Sequence, residues 1–325
     1  MADVLVIGTI RPEGLAVLQD RPDIRLRQLD ETDRAGLLEA AGTATAILVR
    51  TSPLDRAVID RAPGLKVVSR HGVGYDNVDL EALNERRIPL AIAANANRVS
   101  VAEHTLFMML ALAKQAIDHD EGVRGGNWAI RNRFAAFELA GRTLLLLGFG
   151  RIGREVALRA RAFGMTVEVL DPYVDDADLD ACGCIRATGL DAALGRADVV
   201  SLHLPLTAAT RHVIDAGKLA SMRSTALLIN TARGGLIDEP ALARALGEGH
   251  LGGAGIDVFE DEPPRPDNPL LAAPRTLLSP HSAGVTDESM VRMATEAATN
   301  ILDVLDGRLD PAVIVNHAIV AGSPQ

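Results

Sequence analysis

Arg233, Glu262 and His281 are the residues of this chain whose types and placement could do chemistry. Each closely follows a run of buried-strand character: ALLINTA, GAGIDVF and TLLSP. In an open parallel sheet, ligands gather beyond the carboxyl ends of the strands, so the three are expected on one side of one sheet. Together they suit a single reaction. Reduction of a 2-oxo acid requires a cation for the carboxylate, a proton donor for the developing alkoxide and a group that orients that donor. An arginine fork matches a carboxylate, and a histidine with an unperturbed pKa of about 6.5 can give and take a proton. A glutamate beside the ring would hold it and favour its charged form. Taken singly, the three read as a solvated arginine, a loop acid ahead of Pro263 and Pro264, and a histidine satisfied in a turn.

A second constellation points to the electron carrier. Gly148-Phe149-Gly150-Arg151-Ile152-Gly153 follows a strand-like run at residues 144–147 and opens a helical segment over residues 152–163. The first glycine permits a tight turn, the second lets backbone approach a pyrophosphate, and the third lets the helix pack on the strand. The helix N-terminus then faces the anion. Asp171 ends the next strand, TVEVL, where an acid accepts hydrogen bonds from the adenosine ribose, which favours NAD over NADP.

These residues need two alternating units to position them. From residue 3 to about 93, the runs VLVIG, IRLRQL, AILVR, LKVVSR and PLAIAA alternate with helix-like segments. Residues 99 to about 119 read as one connecting helix ending in GVRGGNW. A second parallel sheet follows, built from TLLLLG, TVEVLD, ADVVSLHLP, ALLINTA, GAGIDVF and TLLSP. Over residues 286–305, Met290, Ala294, Ala297, Ile301 and Leu305 recur at spacings of three and four, which predicts a one-faced helix stopped by Gly307. The fold class is α/β, with two Rossmann- or flavodoxin-like parallel-sheet domains.

Composition sets the outer bounds. A length of 325 residues favours two domains, and 48% hydrophobic with 23% charged residues excludes disordered, collagen-like and coiled-coil classes. The net charge of -10, with no basic run, argues against nucleic acid and against a polybasic membrane patch, leaving small molecules as partners. The longest apolar stretch, residues 106–113, is too short to cross a bilayer, and the start MADVLVIGTI has no basic leader region, so a soluble cytoplasmic protein is expected. Cys182 and Cys184 are spaced for neither a disulfide framework nor a four-ligand zinc site. They read as loop thiols, and no metal is expected.

SRHGVGYDNVD, SVAEHTLFMML, GRTLLLLGFGRIGREVA, SLHLPLTAATRHVI, LINTARGGLIDEPALARAL, GAGIDVFEDEPP and SPHSAG occur in this order. With them the chain resembles, nearly end to end, the D-isomer-specific 2-hydroxyacid dehydrogenases. The resemblance implies that Arg233 binds the substrate's carboxylate or carbonyl, that His281 is the general acid/base and that Glu262 is its partner. It implies NAD as cofactor, and it extends the cofactor site to Leu204, Pro205, Thr231, Ala232, Asp257, Ala283 and Gly284. It further implies that Gly72, Val73 and Gly74 offer backbone amides to the substrate carboxylate, a nest that binds anions without a charged side chain. In such enzymes a discontinuous substrate lobe, here 1–98 with 285–325, surrounds an inserted NAD-binding lobe, here 99–284, and the cleft between them closes on substrate. A homodimer built on the nucleotide lobe is implied, with the long helix and the loop bearing Trp128 in the interface; Trp128 also reads as a core residue. The chain ends soon after its closing helix, so a short form without the regulatory domain, and without serine feedback, is expected.

The chain also departs from the family pattern. His71 stands where many members have a small residue, and Ala94-Asn95-Ala96-Asn97 is not the commonest form of its segment; both border the expected pocket. Arg50, Arg70 and Arg131 or Arg133 resemble the positions at which phosphoglycerate dehydrogenases gather charge for a phosphate. The leading substrate expectation is therefore D-3-phosphoglycerate, with hydroxypyruvate or glyoxylate as the alternative. A reading of another class is a NAD-sensing corepressor or scaffold, since some relatives bind the dinucleotide to control partner binding. A third, a thioether hydrolase using tightly held NAD, has no support in the residues around the expected cleft.

Overall fold

Val4-Leu5-Val6-Ile7 and Leu144-Leu145-Leu146-Leu147 are apolar at every successive position, so strands made from them must be covered on both faces. The computed structural model, which describes residues 1–322, meets this demand twice. Contacts divide the chain into one unit of Met1–Asn97 with the chain from Val285, and a second unit of Arg98–Gly284.

The first unit holds β1 (Ala2–Ile7), β2 (Ile24–Leu29), β3 (Ala46–Val49), β4 (Val67–Arg70) and β5 (Leu90–Ile92), all parallel, in the order β2-β1-β3-β4-β5. This is the flavodoxin-like order, whose direction reverses between β1 and β3. Alternation along β1 fills both layers. Leu5 and Ile7 pack with Leu37, Val58 and Ile59 on one face, while Val4 and Val6 pack with Ala294, Ala297, Ala298 and Ile301 on the other. Those last four residues belong to the helix Asp287–Leu305, the closing helix read from the sequence. Thr286 caps its start by accepting the Ser289 N–H at 3.3 Å, and Gly307 takes a left-handed φ of +82° just past its end.

The second unit holds β6 (Thr143–Leu147), β7 (Thr166–Leu170), β8 (Ile185–Arg186), β9 (Val199–Leu202), β10 (Leu227–Asn230), β11 (Gly253–Ile256) and β12 (Thr276–Leu278). All are parallel, in the order β12-β11-β10-β9-β6-β7-β8. Counted from β6, this is the doubly wound dinucleotide-binding order with one strand added, and it reverses between β6 and β9. Leu145 and Leu147 fill one layer and Leu144 and Leu146 the other. Each such burial stabilises by roughly 1.5–3 kcal/mol, so β6 is a firm base for the loop that leaves it.

Two elements differ from the sequence reading. The single connecting helix is in fact two, Arg98–Ala113 and Ala116–Arg124, separated by Gln115 in a left-handed conformation (φ 54°). The first buries Ala102, Leu106, Met108 and Met109 against the second sheet, whereas the second buries no residue, so no apolar face exists to keep the two collinear. The two-residue strand β8 is too short to show any periodicity. Among the described residues, no helix is long and apolar enough to cross a membrane.

Candidate active site

Every candidate residue of the second unit lies at the carboxyl edge of its sheet, either in the loop that leaves a strand or in the first turn of the helix that follows it. β6 ends in the glycine loop, and the three glycines there are used differently. A Cβ on Gly148 (φ +97°) would come within 2.5 Å of the His203 carbonyl oxygen, and one on Gly153 within 2.5 Å of the Gly148 carbonyl oxygen. A Cβ on Gly150 would meet nothing within 4 Å. Two glycines therefore permit close packing inside the protein, and the middle one leaves an open approach for a ligand's phosphates. Gly150 also begins the helix Arg151–Ala162 without a side-chain cap, so the Arg151, Ile152 and Gly153 turn presents its N–H groups to that opening.

Asp171, after β7, binds this loop directly: its carboxylate accepts the Phe149 N–H at 2.7 Å and the Tyr173 N–H at 2.9 Å. A carboxylate has acceptor capacity beyond two bonds, so ribose hydroxyls can still be accommodated. Leu204 and Pro205 follow β9, Thr231 and Ala232 follow β10, Asp257 follows β11, and Ala283 and Gly284 follow β12. All of these positions lie at the carboxyl edge, where an open parallel sheet takes its ligand.

The three candidate reacting groups lie in the loops beyond β10, β11 and β12. Beyond β10, the buried Asn230 side chain donates to the Arg233 carbonyl at 2.8 Å and accepts the Ala232 N–H at 3.0 Å, which fixes the turn carrying Arg233. Beyond β11, Glu262 accepts the Phe259 N–H at 3.1 Å through Oε1, leaving Oε2 to pair with His281. Beyond β12, His281 Nδ1 lies 2.7 Å from that Oε2. His281 has φ of +51°, a conformation that non-glycine residues avoid, and its N–H is tied to the Asp257 carbonyl at 2.7 Å. With Nδ1 donating to the carboxylate, Nε2 is the nitrogen available to a substrate.

Burial works against the ionised form of Glu262, but the bond to His281, the imidazole charge, the Phe259 N–H and the nearby Arg233 charge outweigh it and hold the carboxyl below its usual range. The sequence-predicted trio is thus brought together: a direct bond joins two members, and the charge of the third reaches the glutamate. A folded-state pKa below the unfolded one contributes stability above the ordinary glutamate value, and that contribution is lost as pH falls through the lowered value. Wild type and Glu262→Gln should therefore differ in unfolding free energy at neutral pH and converge on acidification below the ordinary glutamate value. Denaturant titrations across that window check this, and a gap independent of pH would contradict it.

Asp257 is fully buried. Its carboxylate accepts Ser279 Oγ at 2.5 Å, the Ser282 N–H at 2.9 Å and the Ala283 N–H at 3.0 Å, so it braces the turn carrying His281. His104, from the helix Arg98–Ala113, reaches Ser279 Oγ through Nε2 at 3.0 Å. Neither His104 nor Ser279 carried a signal in the sequence, because their partners lie far away along the chain.

In the first unit, Arg50 follows β3 and Gly72, Val73 and Gly74 follow β4, also at the carboxyl edge. Gly72 (φ +140°) lies under the Arg70 guanidinium, whose Nη1 donates to the His71 carbonyl. His71 is buried, and burial, then the charges of Arg70 and Arg50, push its pKa down to about 4. Both charges therefore act on His71, whose imidazole is neutral at physiological pH. Arg131 and Arg133 belong to the other unit, in the exposed 3-10 helix Trp128–Arg133. Trp128 is 65% exposed with Arg131 over its ring at 5.6 Å, so it is no core residue. Cys182 and Cys184 are free thiols, and burial pushes that of Cys184 up. Among the described residues, no three histidine, cysteine or acidic side chains are grouped to hold a metal.

Fold and site define a class: a doubly wound dinucleotide-binding unit with an arginine and a glutamate-paired histidine at its carboxyl edge, and a second parallel-sheet unit. The comparisons agree. Residues 106–283 match the family model described as the D-isomer specific 2-hydroxyacid dehydrogenase, NAD binding domain. A D-3-phosphoglycerate dehydrogenase of Methanocaldococcus jannaschii is 38% identical over 97% of this chain and 59% of its own length. An (S)-sulfolactate dehydrogenase of Chromohalobacter salexigens is 40% identical over 95% of this chain and 100% of its own. The crystal structure of a D-lactate dehydrogenase from Aquifex aeolicus, complexed with NAD and lactic acid, superposes with a TM-score of 0.86 at 31% identity, covering 96% of this chain and 98% of that one. The chain belongs to the D-isomer specific 2-hydroxyacid dehydrogenase family. It spans between half and three fifths of the length of the D-3-phosphoglycerate dehydrogenases it matches.

Proposed function

We propose that this chain is an NAD-dependent D-2-hydroxyacid dehydrogenase, and that D-3-phosphoglycerate is its substrate. The observation that carries the reaction class is the 2.7 Å contact between His281 and Glu262 at the same sheet edge as Arg233 and the glycine loop. When bound, the nicotinamide cofactor supplies or receives the hydride. Arg233 holds the substrate's carboxylate or carbonyl with its planar fork. His281 Nε2 gives a proton to the developing alkoxide in reduction and removes it in oxidation. Glu262 keeps the Nδ1–H in place and stabilises the imidazolium. Within the first unit, the amides of Gly72, Val73 and Gly74 form the nest that we assign to a carboxylate.

Arg50 and Arg70 favour a substrate with a second anionic group, since both charges act at the edge that carries this nest. Two relatives named for phosphoglycerate and sulfolactate dehydrogenation, each a doubly anionic acid, support the same direction. The alternative is a hydroxypyruvate or glyoxylate reductase, for which the two arginines would have no second substrate anion to pair with. The test is a turnover panel of 2-oxo acids with and without a phosphate or sulfonate, run with NADH and with NADPH. On this reading Arg50→Ala loses at least about tenfold more kcat/KM for the doubly anionic acids than for the singly anionic ones, as charge-assisted bonds to phosphate are the stronger kind. Equal losses would move the substrate to the unphosphorylated acids.

We read the exposed apolar side chains of the second unit, Phe107 (52% exposed), Trp128 (65%) and Phe134 (87%), as part of a homodimer face. Sedimentation as a 34.4 kDa single chain at micromolar concentration would remove that reading.

A further inference from the structure

Glu239 is a buried carboxylate, 6% exposed, that the mechanism above leaves unused. It opens the helix Glu239–Gly247, where an anion is favoured by the helix dipole, and it has no cation among its hydrogen-bond partners. Instead, Oε1 accepts the Glu260 N–H at 2.6 Å and Oε2 accepts Asn268 Nδ2 at 2.6 Å. Both partners lie beyond β11, on either side of Glu262. Asn268 is itself tied down, since its Oδ1 accepts the Leu270 N–H at 3.0 Å.

The same loop is fixed from two other directions. A Cβ on Gly234 would come within 1.9 Å of the Phe259 carbonyl carbon, so the turn after Arg233 rests directly on the backbone of the loop that carries Glu262. On the outer side, the Glu260 side chain pairs with Arg211 and lies 3.4 Å from His212 Nε2. These outer contacts are exposed and worth little, whereas a short bond from a buried carboxylate to a backbone N–H is of the stronger, charge-assisted kind. Glu239 is therefore the buried side chain that ties the backbone at Glu260 and the side chain of Asn268, on either side of Glu262.

We propose that Glu239 is a positioning residue for the reaction. Its carboxylate sets the height of the 258–262 loop above the sheet edge, and so the reach of Glu262 to His281. The proposal rests on the dehydrogenase reading for its kinetic consequence, though not for its structural one. Loss of the tether lets Glu262 retreat from Nδ1, and an imidazole free to rotate spends less time with Nε2 toward the substrate.

The test uses Glu239→Gln, which keeps one accepting oxygen, and Glu239→Ala, which keeps none. Backbone amide exchange across residues 258–262, which needs no substrate, should speed up at least tenfold in Glu239→Ala and less in Glu239→Gln. The kcat for 2-oxo acid reduction should fall about tenfold or more, with NADH affinity unchanged. In a Glu262→Gln background, the same Glu239 substitution should have almost no further effect on kcat, because a residue acting through Glu262 has nothing left to position. Should Glu239→Ala not fold, Glu239→Gln alone carries the cycle. Unchanged exchange, or a kcat loss that multiplies with that of Glu262→Gln, would overturn the proposal. Faster exchange in a protein that reduces no 2-oxo acid would instead overturn the dehydrogenase reading and leave the tether standing.

Discussion

His281→Ala is expected to lower kcat for 2-oxo acid reduction by about 10²- to 10⁴-fold while leaving NADH affinity within twofold of wild type, the range in which a positioned general acid contributes. The reason is positional. The imidazole is 49% exposed at the sheet edge and bonded on its Nδ1 side to Glu262, so on the proposed reading its removal takes away the proton donor and leaves intact the glycine loop to which the dinucleotide is assigned. Stopped-flow reduction at saturating NADH, with a fluorescence titration for the cofactor, separates the two quantities. Near-normal turnover would eliminate His281 as the acid, and a parallel loss of NADH affinity would show that the substitution disturbed the turn held by Asp257. That second outcome can be anticipated and controlled, since His281→Asn retains a residue type that tolerates the left-handed conformation seen here (φ 51°).

Arg233→Gln should reduce kcat/KM by roughly 10²- to 10³-fold, on the scale found for removing one preorganised donor from a charge-developing centre. Arg233→Lys should recover little of this, because a compact ammonium cannot reproduce the bidentate fork that a carboxylate or carbonyl engages. The loop itself should survive either change: Asn230 fixes it through the Arg233 carbonyl and the Ala232 N–H, both backbone groups. A thermal midpoint and an NADH affinity close to wild type would confirm that only the side chain was lost. Recovery of full activity by the lysine would show that charge alone, without the fork, is what the substrate reads.

The two effects differ in the parameter they move. Loss of the general acid acts on a group that changes charge during the reaction and falls on kcat. Loss of the guanidinium removes binding in both ground and transition states, so it falls on KM as well. A variant panel that reversed this pattern would require the assignments of His281 and Arg233 to be exchanged.

Much of the architecture was legible because it is written in local periodicity and glycine placement. Runs apolar at each position announced doubly covered parallel strands, and Gly148, Gly150 and Gly153 announced the turn that follows the first of them. The placement of Arg233, Glu262 and His281 at one sheet edge could be expected because each closely follows a strand of the same parallel sheet. The break at Gln115 was not legible, since Ala116–Arg124 is helical in its own right and only the absence of anything to pack against separates it from the helix before. Glu239, Ser279 and His104 were likewise invisible. An acid opening a helix, a serine before a proline and a histidine on a helix are each ordinary in type and spacing.

By itself the sequence determined most of the strand and helix types, the parallel two-sheet class, the glycine loop after β6 and the three polar residues beyond the strand ends to which we assign the chemistry, since all of these follow from backbone propensity, burial pattern and side-chain chemistry within a few residues. Only the tertiary structure decided that His281 meets Glu262 at 2.7 Å, that Asp257 turns its carboxylate to the His281 loop, and that Glu239 grips the chain next to Glu262. Hydrogen bonds of this kind join atoms from distant parts of the chain, and their geometry depends on how loops from different strands pack together.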